Sequence, residues 1–182
     1  MLLAALVAVG LVAVIVVIRA SPPRSSGGEG PLVALLGGQI GIGQPTAVGK
    51  AMSVSGPLFV KNTSDNAVVL DRVELVGIQN VTYVGAYAVP FPLHESPFTA
   101  DFTYRVPPYG RVLPGVTVAP HATAWIVVGL TPKRGRHQWT EMDLIYHDGG
   151  VTYRRHAAVA GAVCAPFNKY LGHCHAPGLE TR

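Results

Sequence analysis

The stretch Glu141-Met-Asp-Leu-Ile-Tyr-His-Asp-Gly-Gly-Val-Thr-Tyr153 decides the fold class. Met142, Leu144 and Tyr146 alternate with Glu141 and Asp143, the period of a strand with one face buried and the other wet. The Asp148-Gly149 step interrupts the run before Val151 and supplies the positive φ angles of a tight hairpin turn. A hairpin is expected here. Glu141 and Asp143 fall two residues apart on one face. They read as its solvated side, because nothing apolar around them in the sequence would favour proton transfer.

The same alternation appears upstream. Phe98, Ala100, Phe102, Tyr104 and Val106 alternate with Thr99, Asp101, Thr103 and Arg105, which predicts a strand with five apolar side chains on one face. Further strands are expected over 58–61, 68–76, 81–89, 124–130 and 151–159. Asn62-Thr-Ser-Asp-Asn66 is a turn cluster. Proline makes 90–97, 107–110 and 114–115 irregular connections. No segment downstream of residue 20 carries a 3.6-residue stripe. Short strands punctuated by Pro and Gly over about 110 residues indicate an all-β antiparallel sandwich or barrel.

Composition narrows the class. The chain has 182 residues, of which 49% are hydrophobic and 13% charged, with 21 Gly, 15 Pro and two Cys. Too apolar for a disordered chain and too poor in cysteine for a disulfide miniprotein, it has the length of about one domain. Its formal net charge is +4, and with Arg19 set aside 13 Lys and Arg face 10 Asp and Glu. That excess is too small, and too little interleaved with aromatics, to trace a nucleic-acid backbone, so no nucleic-acid partner is expected. Lys133-Arg134-Gly135-Arg136-His137 and Arg154-Arg155-His156 are its basic clusters, read as a solvated loop tip and an exposed strand face.

The apolar excess is concentrated at the start. Residues 2–18, LLAALVAVGLVAVIVVI, have no polar side chain, and at about 1.5 Å per residue the first 20 residues span ~30 Å, one hydrocarbon core. This reads as a membrane-inserted helix, a retained single-pass anchor over 1–20. A cleaved signal ending at Ile18-Arg19-Ala20 is the alternative, against which stand the length of the run and the lack of a preceding Lys or Arg. Arg19 and Arg24 follow the run and by the positive-inside tendency would hold the rest in the cytoplasm. The two cysteines and the β-rich composition argue for the extracytoplasmic side. Residues 21–49 form a Gly/Pro/Ser-rich tether with a candidate first strand at 32–36, residues 50–162 the β-domain, and 163–182 a C-terminal extension.

Two passages carry a resemblance. Pro57-Leu-Phe-Val-Lys-Asn-Thr-Ser-Asp-Asn-Ala-Val-Val-Leu-Asp-Arg-Val-Glu-Leu resembles the second and third strands of bacterial envelope modules with an immunoglobulin-like or fibronectin type III-like sandwich. Leu113-Pro-Gly-Val-Thr-Val-Ala-Pro-His-Ala-Thr-Ala-Trp-Ile-Val-Val-Gly-Leu is similar to a later strand of those modules. The resemblance spans roughly residues 52–160. It implies an immunoglobulin-like sandwich on a single-pass envelope protein and carries no catalytic residue. The chain lacks the paired core cysteines flanking a tryptophan of antibody-type domains. Trp125 and Trp139 are expected to fill the core or cover its edge.

Motifs for chemistry fail on inspection. Gly43-Gln-Pro-Thr-Ala-Val-Gly49-Lys50 has five residues between its glycines, Ala51 where a phosphate loop needs Ser or Thr, and Pro45 in place of an N–H donor. Gly38-Gln-Ile-Gly-Ile-Gly43 lacks dinucleotide spacing, and no Gly-x-Ser-x-Gly occurs. Asn62-Thr-Ser64 and Asn80-Val-Thr82 match the glycosylation triplet, as polar strand ends do by chance. The C-terminal Cys164-Ala-Pro-Phe-Asn-Lys-Tyr-Leu-Gly-His-Cys174-His175 is the sharpest constellation. Its first reading is a Cys164–Cys174 disulfide. Its rival is a copper or zinc site built from Cys164, His173, Cys174 and His175. His94, His121, His137, His147 and His156 stand singly and are expected to be exposed.

The expectation is thus a non-catalytic, membrane-anchored extracytoplasmic protein without a cofactor, whose β-sandwich contacts another envelope protein. Its candidate contact loops carry Phe91, Leu93 and Phe98, and Lys133, Arg134 and Arg136. The alternative is an extracytoplasmic Cu- or Zn-binding protein using the terminal Cys/His set.

Overall fold

The computed structural model describes residues 18–20, 30–35, 38–92, 103–170 and 174. The described residues are all-β, with one short helix. Its elements are β1 (Ile18–Ala20), β2 (Leu32–Ala34), β3 (Gly38–Pro45), β4 (Met52–Asn62), β5 (Val68–Val76), β6 (Val81–Phe91), β7 (Arg111–Val112), β8 (Val116–Val118), β9 (Thr123–Pro132), β10 (Gly135–Trp139), β11 (Glu141–Asp148), β12 (Val151–Ala157), β13 (Val159–Ala165) and α1 (Phe167–Tyr170).

A five-stranded sheet, ordered β2-β4-β9-β6-β7, faces a four-stranded sheet, ordered β12-β11-β5-β8, and a third sheet, β1-β3-β13-β10, joins the same core. The ladders are antiparallel except β3 with β13, which run parallel from Val159 opposite Ile40 to Cys164 opposite Pro45. Alternation builds the core as the sequence dictates. Leu58 and Val60 from β4, Ile126, Val128 and Leu130 from β9, and Met142, Leu144 and Tyr146 from β11 all bury one face of their strands together. Tyr146 also reaches across the sandwich, where its hydroxyl accepts the Leu32 N–H at 3.2 Å and fixes the start of β2.

β13 reads VAGAVCA and is buried at every position. Val159 and Val163 enter the main core, while Ala162 and Cys164 pack with Cys174 on the other side. Only small and apolar residues suit a strand covered on both faces.

The hairpin forms where expected, one residue later than its signal. Asp148 pairs with Val151, and the turn residues are Gly149 and Gly150 at φ 55° and 88°. Two successive positive φ angles are what a two-residue hairpin of this twist requires. The strand expected over 151–159 is two strands: β12 ends at Ala157, and the chain crosses to the third sheet as β13. The expected boundary at residue 162 lies inside β13, which runs through Cys164 to Ala165.

The alternation over 98–106 has another use. Thr103 makes an isolated bridge to Met52, and Tyr104 and Val106 lie over Tyr87, Val89 and Val127 on the outer face of the five-stranded sheet. Apolar alternation satisfied a covering segment there; Phe98 and the rest of 93–102 lie outside the described residues. Among the described residues no helix is long and apolar enough to cross a membrane. Residues 1–17 of the expected anchor and the tether over 21–29 lie outside them, and the anchor's last three residues, Ile18–Ala20, are a strand instead of helix, pairing antiparallel with Ile40 to Gly38 of β3.

Candidate functional site

The two outer faces of the sandwich have opposite chemistry. On the four-stranded sheet, register sets Asp143 of β11 opposite both Glu74 of β5 and His156 of β12, with Arg72 and Arg154 one step along opposite Ile145. The side chains close into a lattice. Arg154 donates from Nη1 to Asp143 Oδ2 at 2.6 Å, and its Nη2 lies 2.9 Å from Glu74 Oε2. Arg72 donates from Nε to Glu74 Oε1 at 2.9 Å and from Nη1 to Asp71 Oδ2 at 2.8 Å. His156 Nδ1 lies 2.6 Å from Asp143 Oδ1, and since a carboxylate only accepts, that nitrogen carries the hydrogen. The hydrogen bond to Asp143, with the nearby Glu74 charge, pushes the Arg154 guanidinium above its ordinary pKa; Glu74 does the same for Arg72.

Asp143 corrects one expectation. Its side chain is 2% exposed, beneath Arg154 and His156, rather than solvated beside Glu141. Glu141, Asp143 and His156 offer ligand atoms within 4.8 Å of one another. Both Asp143 oxygens, however, already meet internal partners, so this geometry is that of a self-neutralised polar face. Strand pairing made the cluster, and the sequence signal for it was the period-two spacing of Arg72 and Glu74 and of Arg154 and His156.

At the C-terminal end Cys164 and Cys174 are joined, S–S 2.08 Å, with Cα atoms 5.9 Å apart. The bond leaves neither sulfur as a thiolate, which takes both out of the alternative copper or zinc set; His173 and His175 lie outside the described residues. The single turn α1 lies inside the closed loop.

On the five-stranded sheet the outer face is apolar. Phe59 stacks on Trp125 with centroids 5.2 Å apart and planes at 18°, and Phe91 meets Phe59 edge-on at 5.5 Å. Ladder pairing sets Trp125 beside Phe59 and Val89, and Val33 beside Lys61. The Leu35 N–H donates to the Phe59 carbonyl at 2.9 Å, so Leu35 completes the row. Phe91 is 49% exposed and Leu35 46%. Of the expected contact residues Phe91 lies exposed at the end of this row, Leu93 and Phe98 lie outside the described residues, and Phe59, Trp125 and Leu35 join the row only through ladder register. Trp139, by contrast, is fully buried over Gly161.

The basic loop splits. Lys133 and Arg134 are exposed in the connection from β9 to β10, while Arg136 is half-buried on β10. His137 is buried, contrary to expectation, with Nδ1 3.0 Å from the Gln79 carbonyl and Nε2 3.1 Å from the Lys133 carbonyl. It braces the loop to the β5–β6 connection. Asn62 is also buried, its amide nitrogen 2.7 Å from the Asn66 carbonyl and 3.2 Å from that of Val118, so the first glycosylation triplet offers no accessible amide. A cleft of about 260 Å³ opens between β5 and β6, lined by Val73, Leu75, Ile78, Val81, Tyr83 and Leu130 with Glu74 at its rim.

No family model matches the chain, and no curated protein matches it in sequence.

Proposed function

We propose that this chain is a membrane-tethered extracytoplasmic protein, anchored through residues 2–18, whose β-sandwich works without catalysis by contacting another envelope protein. The observation that carries the reading is the Cys164–Cys174 bond, because disulfides persist in oxidising compartments and are rare where thiols are kept reduced. It outweighs the opposite pull of Arg19 and Arg24 on topology. An immunoglobulin-like arrangement belongs to the same reading, supported by two packed antiparallel sheets in the region of the two resembling passages.

The lattice of Arg72, Glu74, Asp143, Arg154 and His156 is the surface we assign to that contact. Charges held in fixed register favour one orientation of a complementary partner and raise its encounter rate more than its affinity. The test is thiol labelling in intact cells with a membrane-impermeant maleimide. Labelling of Cys164 and Cys174 only after an external, impermeant reductant supports the reading. Labelling that needs permeabilisation but no reductant would place the domain in the cytoplasm and refute it.

A further inference from the structure

We infer that the aromatic face of the five-stranded sheet lies on the bilayer, its occupant being the lipid interface; this rests on the anchored reading above. The covering segment places Tyr104, Val106 and Tyr109 over Tyr87, Val89 and Val127, and among the described residues the neighbouring half of the same face is exposed at Val33, Leu35 and Phe91. That half presents Val33, Leu35, Phe59, Trp125 and Phe91, with Lys61 among them. No carboxylate lies in this patch among the described residues.

Three observations favour lipid over another occupant. The first is where the chain outside the described residues ends. The apolar run ends at Ile18, which opens β1 and pairs with Ile40 of β3, so the body of the sandwich begins where that run stops. The next described stretch begins at Gly30 and forms β2, whose Val33, with Leu35 just after the strand, belongs to the patch. A sandwich held this closely keeps one face within reach of the interface.

Charge is the second. Lys61 complements anionic headgroups, whereas the opposite outer face carries Glu74 and Asp143 in its ion lattice. A Trp and Phe cluster beside a lysine is the composition that settles at the boundary of headgroup and acyl chain. The third is ring geometry. Phe59 and Trp125 stack one face each on the other and Phe91 meets Phe59 edge-on, so the three rings form one contiguous apolar surface of the kind that packs against lipid methylenes. With this face on the membrane, the charged lattice points away from it, toward the partner.

The chain's two tryptophans make the test direct, since Trp139 is fully buried and serves as an internal reference. The full-length chain is reconstituted into vesicles containing anionic lipid and brominated phosphatidylcholine, and flotation and tryptophan emission are both read. The expected result is flotation with strong quenching that is lost in Trp125→Phe. Leu35→Asp and Phe91→Asp, at exposed positions that folding tolerates, should relieve most of the quenching while flotation and the Cys164–Cys174 bond are retained. A chain that floats with Trp125 unquenched overturns the docking and leaves the anchor standing. Trp125 shielded from both bromolipid and aqueous acrylamide means that protein covers the face, which also overturns it. A chain that fails to float takes the anchored reading down as well.

Discussion

His156 and Asp143 meet at 2.6 Å across neighbouring strands, the imidazole half-exposed and the carboxylate sealed beneath it. Burial of a carboxylate is tolerated only when its oxygens are satisfied, and here His156 takes one and Arg154 the other. Replacing Asp143 by Ala should lower stability by about 2–3 kcal/mol, less than the ~3–5 of a fully enclosed pair, because its partners keep access to water. Urea unfolding should show a lower midpoint at unchanged slope. Asp143→Asn, which retains an acceptor for Arg154, should lose less. Since Asp143 is sealed, added salt should change the Asp143→Ala difference little; a strong salt dependence would mean that the carboxylate is in fact solvated.

Tyr87 sets an alkaline limit on the fold. Burial pushes its hydroxyl up to about 12, against the pull of a hydrogen bond with Ser53, and Tyr104 with its ring centroid 5.7 Å away adds to the rise. The folded state therefore holds this proton more tightly than the unfolded state, whose tyrosine titrates near its ordinary 10.0. The stability it contributes is complete below that value and is lost as pH rises from there through about 12. Burial also raises Tyr83, Tyr104 and Tyr146, so tyrosinate absorbance should show a late-titrating component that loses its last step in Tyr87→Phe, and alkaline unfolding of that variant should be less steep. A wild type that unfolds with the same pH profile as Tyr87→Phe would count against this account.

The all-β class, the hairpin and the disulfide were legible in the sequence because each is local or follows from a short loop: alternation in 141–146, glycines at the turn, and two cysteines ten apart. What joins distant strands was not. The aromatic row needs Leu35, Phe59, Trp125 and Val89 set side by side by ladder register, and nothing in four separate runs reveals that register. Asp143 looked solvated for the same reason, since its covering cations come from β12. Tyr104 and Val106 misled in the opposite sense. Period-two alternation reports one apolar side of an extended chain, whether that side faces a sheet as a strand or as a cover laid across one.

Gly129 and Gly161 sit beneath aromatic rings, and those rings differ in their freedom to move. A Cβ on Gly129 would stand 2.5 Å from the Tyr104 ring, which is half-buried and can lift toward solvent. A Cβ on Gly161 would collide with Trp139, which is fully buried and has no such exit. Neither glycine has a positive φ, so alanine tests sterics alone. Overpacking of this kind costs about 1–3 kcal/mol, with Gly129→Ala expected at the lower end and Gly161→Ala at or above the upper. Denaturant midpoints give the ranking. Near-ultraviolet circular dichroism should report an altered Trp139 environment in Gly161→Ala, and equal costs for the two variants would refute the distinction between a movable cover and a fixed core ring.

The disulfide completes the covering of β13. Ala162 and Cys164 turn away from the main core, and Cys174 is held against them at a sequence separation of 10. Closing so short a loop removes unfolded-state freedom worth about 2–3 kcal/mol in the chain-entropy model. The double variant Cys164→Ser with Cys174→Ser should lose about that much in urea unfolding. Because the closed loop follows β13 and Cys174 packs with Ala162 and Cys164 of that strand, its opening loosens β13 and the segment after it. Amide exchange should therefore quicken over 166–174 and along β13, while the β4–β9 and β5–β11 ladders keep their protection at low denaturant. Uniform loss of protection across all three sheets would instead mean that the bond holds the whole sandwich together.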